Sequence, residues 1–357
     1  MIRKKFLTNN ILRALSLMLI AALIFVLPAC SKPEPEPEPE PEEEVEEEID
    51  YSIYADESLG IDGKVGADLR DYRNILIAGI DNGNRSDMLI VLSINKNTGD
   101  AKMFTVSRDT YMQIAHGDTV TIGEHDVVFC KCNRAFEIGD KYDLMKELNR
   151  HLDLNIKEFI GVDWPCTADL VDALGGVECD IESEAMLDAI NTLITNSSVG
   201  YAEPISGTGM QKLTGWQTVH YLRVRKFEGG SAAVREERNR GFLNSLYNRA
   251  KDMSIDEIAE IYDDIADELD TNMSRDTLTE TLVQLESASI TDIGGWPFEL
   301  KMRWEPDKFM NYKVPQTLSS NVTELHEKLF DQAGYEPSAT VQDLNDQILD
   351  LEENYLK

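Results

Sequence analysis

A chain of 357 residues, 42% of them hydrophobic, has the material for one large domain or two modest ones, which excludes wholesale disorder. Its 66 acidic against 34 basic side chains give a formal net charge of −32, which would repel a nucleic acid, and no basic surface interleaved with aromatics offsets it. The 5 histidines have no metal-ligand spacing, and neither Gly-x-Ser-x-Gly nor a phosphate-cradling glycine loop occurs, so a hydrolase built on a side-chain nucleophile is disfavoured.

Residues 1–29 carry Arg3, Lys4, Lys5 and Arg13 without an acid, then an apolar run over 14–29, the pattern of an export signal. As a helix that run would span about 24 Å, short of the roughly 30 Å hydrocarbon core, which favours cleavage. Leu27-Pro28-Ala29-Cys30 is similar to a lipoprotein signal site, with Cys30 as the lipidated residue; the alternative is an uncleaved membrane anchor. Both predict a chain tethered to the outer face of a membrane. Residues 31–50, repeats of Pro-Glu and then a glutamate run, predict an extended, disordered stalk. The lead-in 51–73 suggests no role.

Asn74 to Ile80 reads as a buried strand ending at Asp81 and a loop at Asn82-Gly83-Asn84. Arg85-Ser86-Asp87 follows; then Met88 to Ile94 predicts a second strand, 95–100 a turn, and Ala101 to Val106 its hairpin partner. Asp81 and Asp87 flank one short loop, where two carboxylates could share a hard cation, although turn-capping aspartates are commoner than metal ligands. Cys130, Cys132, Cys166 and Cys179 permit two disulfides, and sequence does not choose the pairing. Cys130 and Cys132 alternate on one strand face, where a bond between them would be awkward, and buried hydrophobes or disulfides are better readings than a metal site. Thr167 to Leu174 predicts a helix stopped by Gly175-Gly176.

The richest signal is a group of arginines in an acidic chain: Arg223, Arg225, Arg235, Arg238 and Arg240. Guanidinium forks suit phosphate or carboxylate oxygens. Read as a strand, Gln217 to Arg225 puts Tyr221, Arg223 and Arg225 on one face. Read as a helix, 231–250 turns Arg235 and Arg238 to the side of Phe242 and Leu246, inward, and leaves Arg240 on the surface. Inward cations near a helix start suggest an anion site; salt bridges to carboxylates such as Glu236 and Glu237 are the plainer reading, and the one that fits Arg240. Farther on, Ile255, Ile258, Ile261 and Ile265 have helical spacing, and Val341, Leu344, Ile348, Leu351 and Tyr355 form a stripe on a terminal helix with Thr340 as its cap.

Several ordered motifs together carry a resemblance. Asn74-ILIAGID-Asn82 with Arg85-Ser86-Asp87, Thr105-VSRDTY-Met112, Lys131-CNRAF-Phe136, Val171-DALGGV-Val177, and Tyr221-LRVR with Arg235-EERN are similar, in order, to the motif set of the LytR-CpsA-Psr family. The resemblance, which runs from about Asn74 to Arg249 and more weakly towards residue 330, implies a single α/β domain over 74–330, a mixed sheet flanked by helices on both faces; the apolar stripe predicts a C-terminal helix over 331–357. It implies an extracytoplasmic, membrane-tethered phosphotransferase that moves a teichoic acid, capsular or other wall glycopolymer from undecaprenyl pyrophosphate to peptidoglycan. By position, Asp81 and Asp87 match the family's aspartates for Mg²⁺ or Mn²⁺. Arg85, Arg108, Arg223, Arg225, Arg235 and Arg238 match arginines of the pyrophosphate site, and Asp109 matches an acidic residue of the same motif. The chain departs from the family pattern at three places. The segment Lys226-FEGGSAAV-Val234 has only Glu228 where a His-x-Asp-x-Asp-like pattern is usual, Asn239 replaces a Gln, and Cys132 and Arg134 replace an apolar and a small residue.

The chemistry so implied is attack of a sugar hydroxyl on the sugar-proximal phosphorus, with charge neutralised by Mg²⁺ and arginines and with Asp109 or Glu228 as candidate base. Two other readings use the same site: a polyprenyl-pyrophosphate hydrolase with water as acceptor, and a binding protein that holds lipid-linked glycan without turnover.

Overall fold

A computed structural model of the chain describes residues 50–81, 85–122, 124–230, 238, 241–242, 245, 249, 257, 261, 265–286, 288–306 and 310–356. The signal segment, Cys30, the Pro/Glu stalk, Arg235 and Arg240 lie outside the described residues. The apolar runs after Asp71 form an antiparallel meander of β1 (Tyr72–Ile80), β2 (Ser86–Asn95) and β3 (Ala101–Val106), as their alternation predicts. The turn between β2 and β3 closes on Asn95 Oδ1, which accepts from the backbone N–H groups of Asn97 at 2.9 Å and Thr98 at 3.2 Å.

Along the chain follow β4 (Tyr111–Gln113), β5 (Val120–Ile122), β6 (His125–Val127), β7 (Phe129–Lys131), β8 (Glu158–Val162), β9 (Val177–Ile181), β10 (Gly209–Leu213), β11 (Asp270–Thr271), β12 (Ile290–Trp296), β13 (Leu300–Glu305) and β14 (Met310–Pro315). The described α-helices are α1 (Gly63–Asp68), α2 (Arg134–Ile138), α3 (Lys141–Leu152), α4 (Trp164–Ala173), α5 (Glu184–Asn196), α6 (Gly215–Arg223), α7 (Arg275–Glu286), α8 (Leu318–Phe330) and α9 (Ala339–Tyr355). The central sheet has 6 strands in the order β11-β8-β1-β2-β3-β12, with β8 parallel to β1 and β12 parallel to β3.

Alternation along β1 explains the layers. Leu76 and Ala78 face a core with Leu144 and Leu148 of α3, Leu325 of α8 and Leu344 of α9, whereas Ile75 and Ile77 face Leu278 and Leu285 of α7. A third apolar cluster joins α4, α5 and α6 to β9 and β10. The fold is the expected mixed sheet with helices on both faces.

Two local expectations change, and the alternatives left open for the cysteines narrow to one. Gln217 to Arg225 is not a strand: α6 is helical from Gly215 to Arg223, begun by a Gln217 side chain that accepts from Thr214 N–H at 3.0 Å. Its start lies so close to α4 that a Cβ on Gly215 would fall 2.0 Å from the Ala168 carbonyl oxygen. The cap of α9 is Ser338, not Thr340; its hydroxyl accepts from Val341 N–H at 3.2 Å and also donates to Asp153 at 2.6 Å, which fixes the helix start two residues earlier. All four described cysteines are buried free thiols, so they act as small apolar side chains, not cross-links.

Candidate functional site

Topology gathers the charges. β1 and β8 end, β2 begins and β3 ends along one edge of the sheet, because Gly79 pairs with Val162 and Met88, and Leu89 pairs with Val106. This is the carboxyl end of the parallel strands, where open α/β sheets bind ligands. Asp81 follows β1, Arg85 and Asp87 open β2, and Arg108 and Asp109 follow β3.

Across the loop, Arg85 N–H donates to Asp81 Oδ1 at 3.0 Å and its guanidinium to Oδ2 at 2.8 Å. That bond, with the Asp81 charge, pushes the already high pKa of Arg85 further up. Asp87 is held from two sides: Arg108 Nη1 lies 2.5 Å from Oδ1 and Arg225 Nη2 3.5 Å from Oδ2. Two guanidinium groups from separate elements thus meet over one carboxylate, with Arg225 still 56% exposed. A phosphate arriving there finds cations already converged and still wet.

Asp109 takes a different partner. Lys131, at the end of β7, donates to Asp109 Oδ1 at 2.6 Å, while Arg108 Nε stays 4.0 Å from Oδ2. Lys131 was missed as a site residue, although it stands in the Lys131-CNRAF motif; what sequence lacks is the β4–β7 pairing of Tyr111 with Lys131 that delivers it. The next residues continue the edge. Asn133 N–H donates to the Arg108 carbonyl at 3.4 Å, and Arg134 pairs with Glu137. Burial pushes the Cys132 thiol far above its ordinary value, so it offers no thiolate nucleophile.

The arginine group divides. Arg225 reaches Asp87. Arg223, half-buried on the last turn of α6, acts with burial to hold the His220 imidazole below its ordinary pKa, burial being the larger cause. Arg238 points inward as its spacing predicts and is only 3% exposed. Its Nη2 donates to the carbonyls of Val224 at 2.6 Å and Leu222 at 3.4 Å, and its guanidinium lies 5.4 Å from the Tyr221 ring centre. It therefore braces the turn between Arg223 and Arg225. Glu228 is exposed.

Among the described residues no group of three or more His, Cys, Asp or Glu side chains could hold a metal ion. Two carboxylates at a strand-end loop are nevertheless the donor set that suits Mg²⁺, which commonly takes one or two carboxylates and completes its shell with phosphate oxygens and water.

Comparison with known proteins bears on the family and the fold. The profile of the LytR_cpsA_psr family matches residues 41–328. The polyisoprenyl-teichoic acid–peptidoglycan teichoic acid transferase TagU of Bacillus subtilis is 25% identical over 228 residues, 62% of this chain and 67% of that protein. Such relatives are matched over about two thirds of their length. Among solved structures, protein gbs0355 of Streptococcus agalactiae superposes with a TM-score of 0.57 at 20% identity, covering 80% of this chain and 96% of that one. B. subtilis TagV gives a TM-score of 0.53 at 22% identity over 75% and 99% of the two chains. These two likenesses speak to the fold.

Proposed function

The chain belongs to the LytR-CpsA-Psr family, and from that membership we propose that it transfers a phosphate-linked glycopolymer, a teichoic acid or other wall polysaccharide, from undecaprenyl pyrophosphate to a peptidoglycan hydroxyl. The observation that carries the reading is Asp87 gripped by Arg108 and Arg225 at the sheet edge. A pyrophosphate has more negative charge than one carboxylate and competes for the same two forks, so both arginines exchange Asp87 for phosphate oxygens as substrate enters. Arg85 borders the same edge and extends the positive surface along the second phosphate.

The acceptor hydroxyl oxygen forms a bond to the sugar-proximal phosphorus while the bridging P–O bond breaks, and polyprenyl phosphate leaves. Arg108 and Arg225 stabilise the charge that develops on the phosphoryl oxygens. Asp109, with Oδ1 taken by Lys131, offers Oδ2 to the acceptor proton. Mg²⁺ or Mn²⁺ would be held by Asp81 and Asp87 and would supply neutralisation of the pyrophosphate. No side-chain nucleophile is needed.

The basic and apolar pattern of residues 1–29 supports a place outside the cytoplasm, with the N-terminal segment or a lipid on Cys30 as tether. Among the described residues no helix is long and apolar enough to cross a membrane.

The test is incubation with a defined undecaprenyl-pyrophosphate glycan, Mg²⁺ and peptidoglycan fragments. A phosphodiester-linked product is expected, and Asp87→Ala or Arg225→Ala should lower the rate on the order of 10²–10³-fold. Transfer that survives either change overturns the reading. Free polymer released without acceptor would identify a hydrolase, and no product in either condition a binding protein.

A further inference from the structure

At the other end of α6 lies a groove of about 470 Å³ whose lining includes Thr195, Ser197, Ser198, Tyr201 and Pro204. Its floor is the connection from α5 to β10, and that connection is tied down at several points. Asn191 bonds both backbone groups of Ile205, at 3.0 and 2.8 Å, and Gln217 donates to the Glu203 carbonyl at 2.8 Å. Gly200 has φ 60° and lies so close to Trp216 that a Cβ would fall 1.9 Å from the indole. Only a glycine lets the backbone lie flat on that ring.

On this anchored loop Tyr201 stands 79% exposed, and its hydroxyl donates to the Glu203 carboxylate, which fixes the ring in water. An immobilised aromatic face beside three hydroxyls and a carboxylate is the chemistry of a sugar subsite. The ring covers the C–H face of a pyranose, while Ser198 and the Glu203 oxygens bond its hydroxyl rim; Thr195 and Ser197, whose hydroxyls already donate to the Asn191 and Val199 carbonyls, are left to accept from it. No cation is among the residues lining the groove and Glu203 adds a negative charge beside it, so the groove offers a polyanionic glycan no counter-charge.

We propose that this groove binds a neutral pyranose of a glycan strand. Trp216 to Val224 spans about 12 Å of helix, so a strand seated here can run along α6 towards Arg225 and Asp87. Under the transferase reading, on which this assignment of the strand rests, it is the peptidoglycan acceptor, through a neutral sugar ring, and not the phosphate-bearing donor.

The probe is a tetramer of N-acetylglucosamine titrated into the full chain in detergent, followed by calorimetry and by tryptophan fluorescence. Binding is expected, weakened about tenfold or more by Tyr201→Ala and retained by Tyr201→Trp. Because Tyr201 packs so little of its surface, the folded state should be unaffected, which the unchanged unfolding midpoint of Tyr201→Ala would verify. In the transfer assay Tyr201→Ala should raise the acceptor KM by a similar factor and leave kcat in place. Arg225→Ala should bind the tetramer as the parent does, so loss of transfer and loss of this subsite are read separately. The proposal is overturned if the parent does not bind the tetramer, if Tyr201→Ala binds it equally well, or if a soluble teichoic acid displaces it at equal concentration.

Discussion

Arg238 illustrates how far single residues could be read. Helical spacing put it on the side of Phe242, and both are buried, so the inward direction was legible. Its partners were not, because the carbonyls of Leu222 and Val224 become available only where α6 stops and the chain turns. A planar fork can serve both carbonyls and lie by the Tyr221 ring; an ammonium on a flexible stem cannot do all three. Arg238→Lys should therefore destabilise the protein by about 1–3 kcal/mol in urea unfolding. Transfer should fall further than the unfolded fraction explains, since Arg225 loses its brace. A variant as stable and as active as the parent would show that the bracing bonds do not matter. The two aspartates, by contrast, were legible as a pair flanking a loop; that Asp87 is held by cations from two different elements required the fold.

At the level of elements, long alternating runs were legible and short ones were not. The meander β1–β3 is fixed by runs with a local turn, whereas β8 and β12 join it in parallel register from far along the chain, which pattern alone does not specify. Tyr221-LRVR fits period two, yet it is too short to exclude a helix end, and the Thr214-x-x-Gln217 pattern was the overlooked signal. The segment after β4 also hides a charge cluster. His116, at φ 60°, has Nδ1 2.8 Å from Glu147 and Nε2 2.6 Å from Asp143, both on α3; Lys146 opposes its charge, and Arg150 and His151 share Glu147. The Glu147 bond, outweighing burial and aided by Asp143, raises the His116 pKa above its ordinary 6.5. A raised folded pKa means stabilisation fully present below that value and lost as pH climbs through the folded one. His151 has the opposite sign: burial, opposed by Glu147, keeps its pKa down, so its contribution fades as pH falls. His116→Asn, which tolerates the left-handed backbone, should flatten the loss of stability between about pH 6 and pH 8; because the His116 bond also helps hold the Glu147 pKa down against burial, the acid limb should change too. Urea midpoints across that range measure it, and parallel curves for the two proteins would exclude the imidazole as the cause.

For the whole molecule, the decisive fact is that one core runs from the lead-in to the final helix. Leu59, Leu69, Leu76, Leu148, Leu325, Leu344 and Leu356 belong to a single apolar cluster. The family profile stops at residue 328, yet α9 buries Val341, Leu344 and Ile348 in that cluster, and Glu352 pairs with Lys301 and Arg303 of β13. Asp153, at the end of α3, accepts from Ser338 N–H at 2.7 Å and from the Tyr335 hydroxyl at 3.1 Å, so the approach to α9 is fastened to the helix beneath it. The stripe on α9 was legible from its spacing as far as Leu351, whereas Tyr355, read as its last member, is 61% exposed; that it seals the same core as β1 was not legible, because contacts across the length of the chain leave no local trace. If α9 were an appended helix, shortening one of its buried side chains would loosen it alone. As part of the common core, Leu344→Ala should cost about 2–5 kcal/mol of global stability. Circular dichroism and tryptophan fluorescence should then report one coincident transition at a lower midpoint with an unchanged urea slope. Two separated transitions, with the main one where the parent has it, would show instead that the sheet and its arginines hold together without the C-terminal helix.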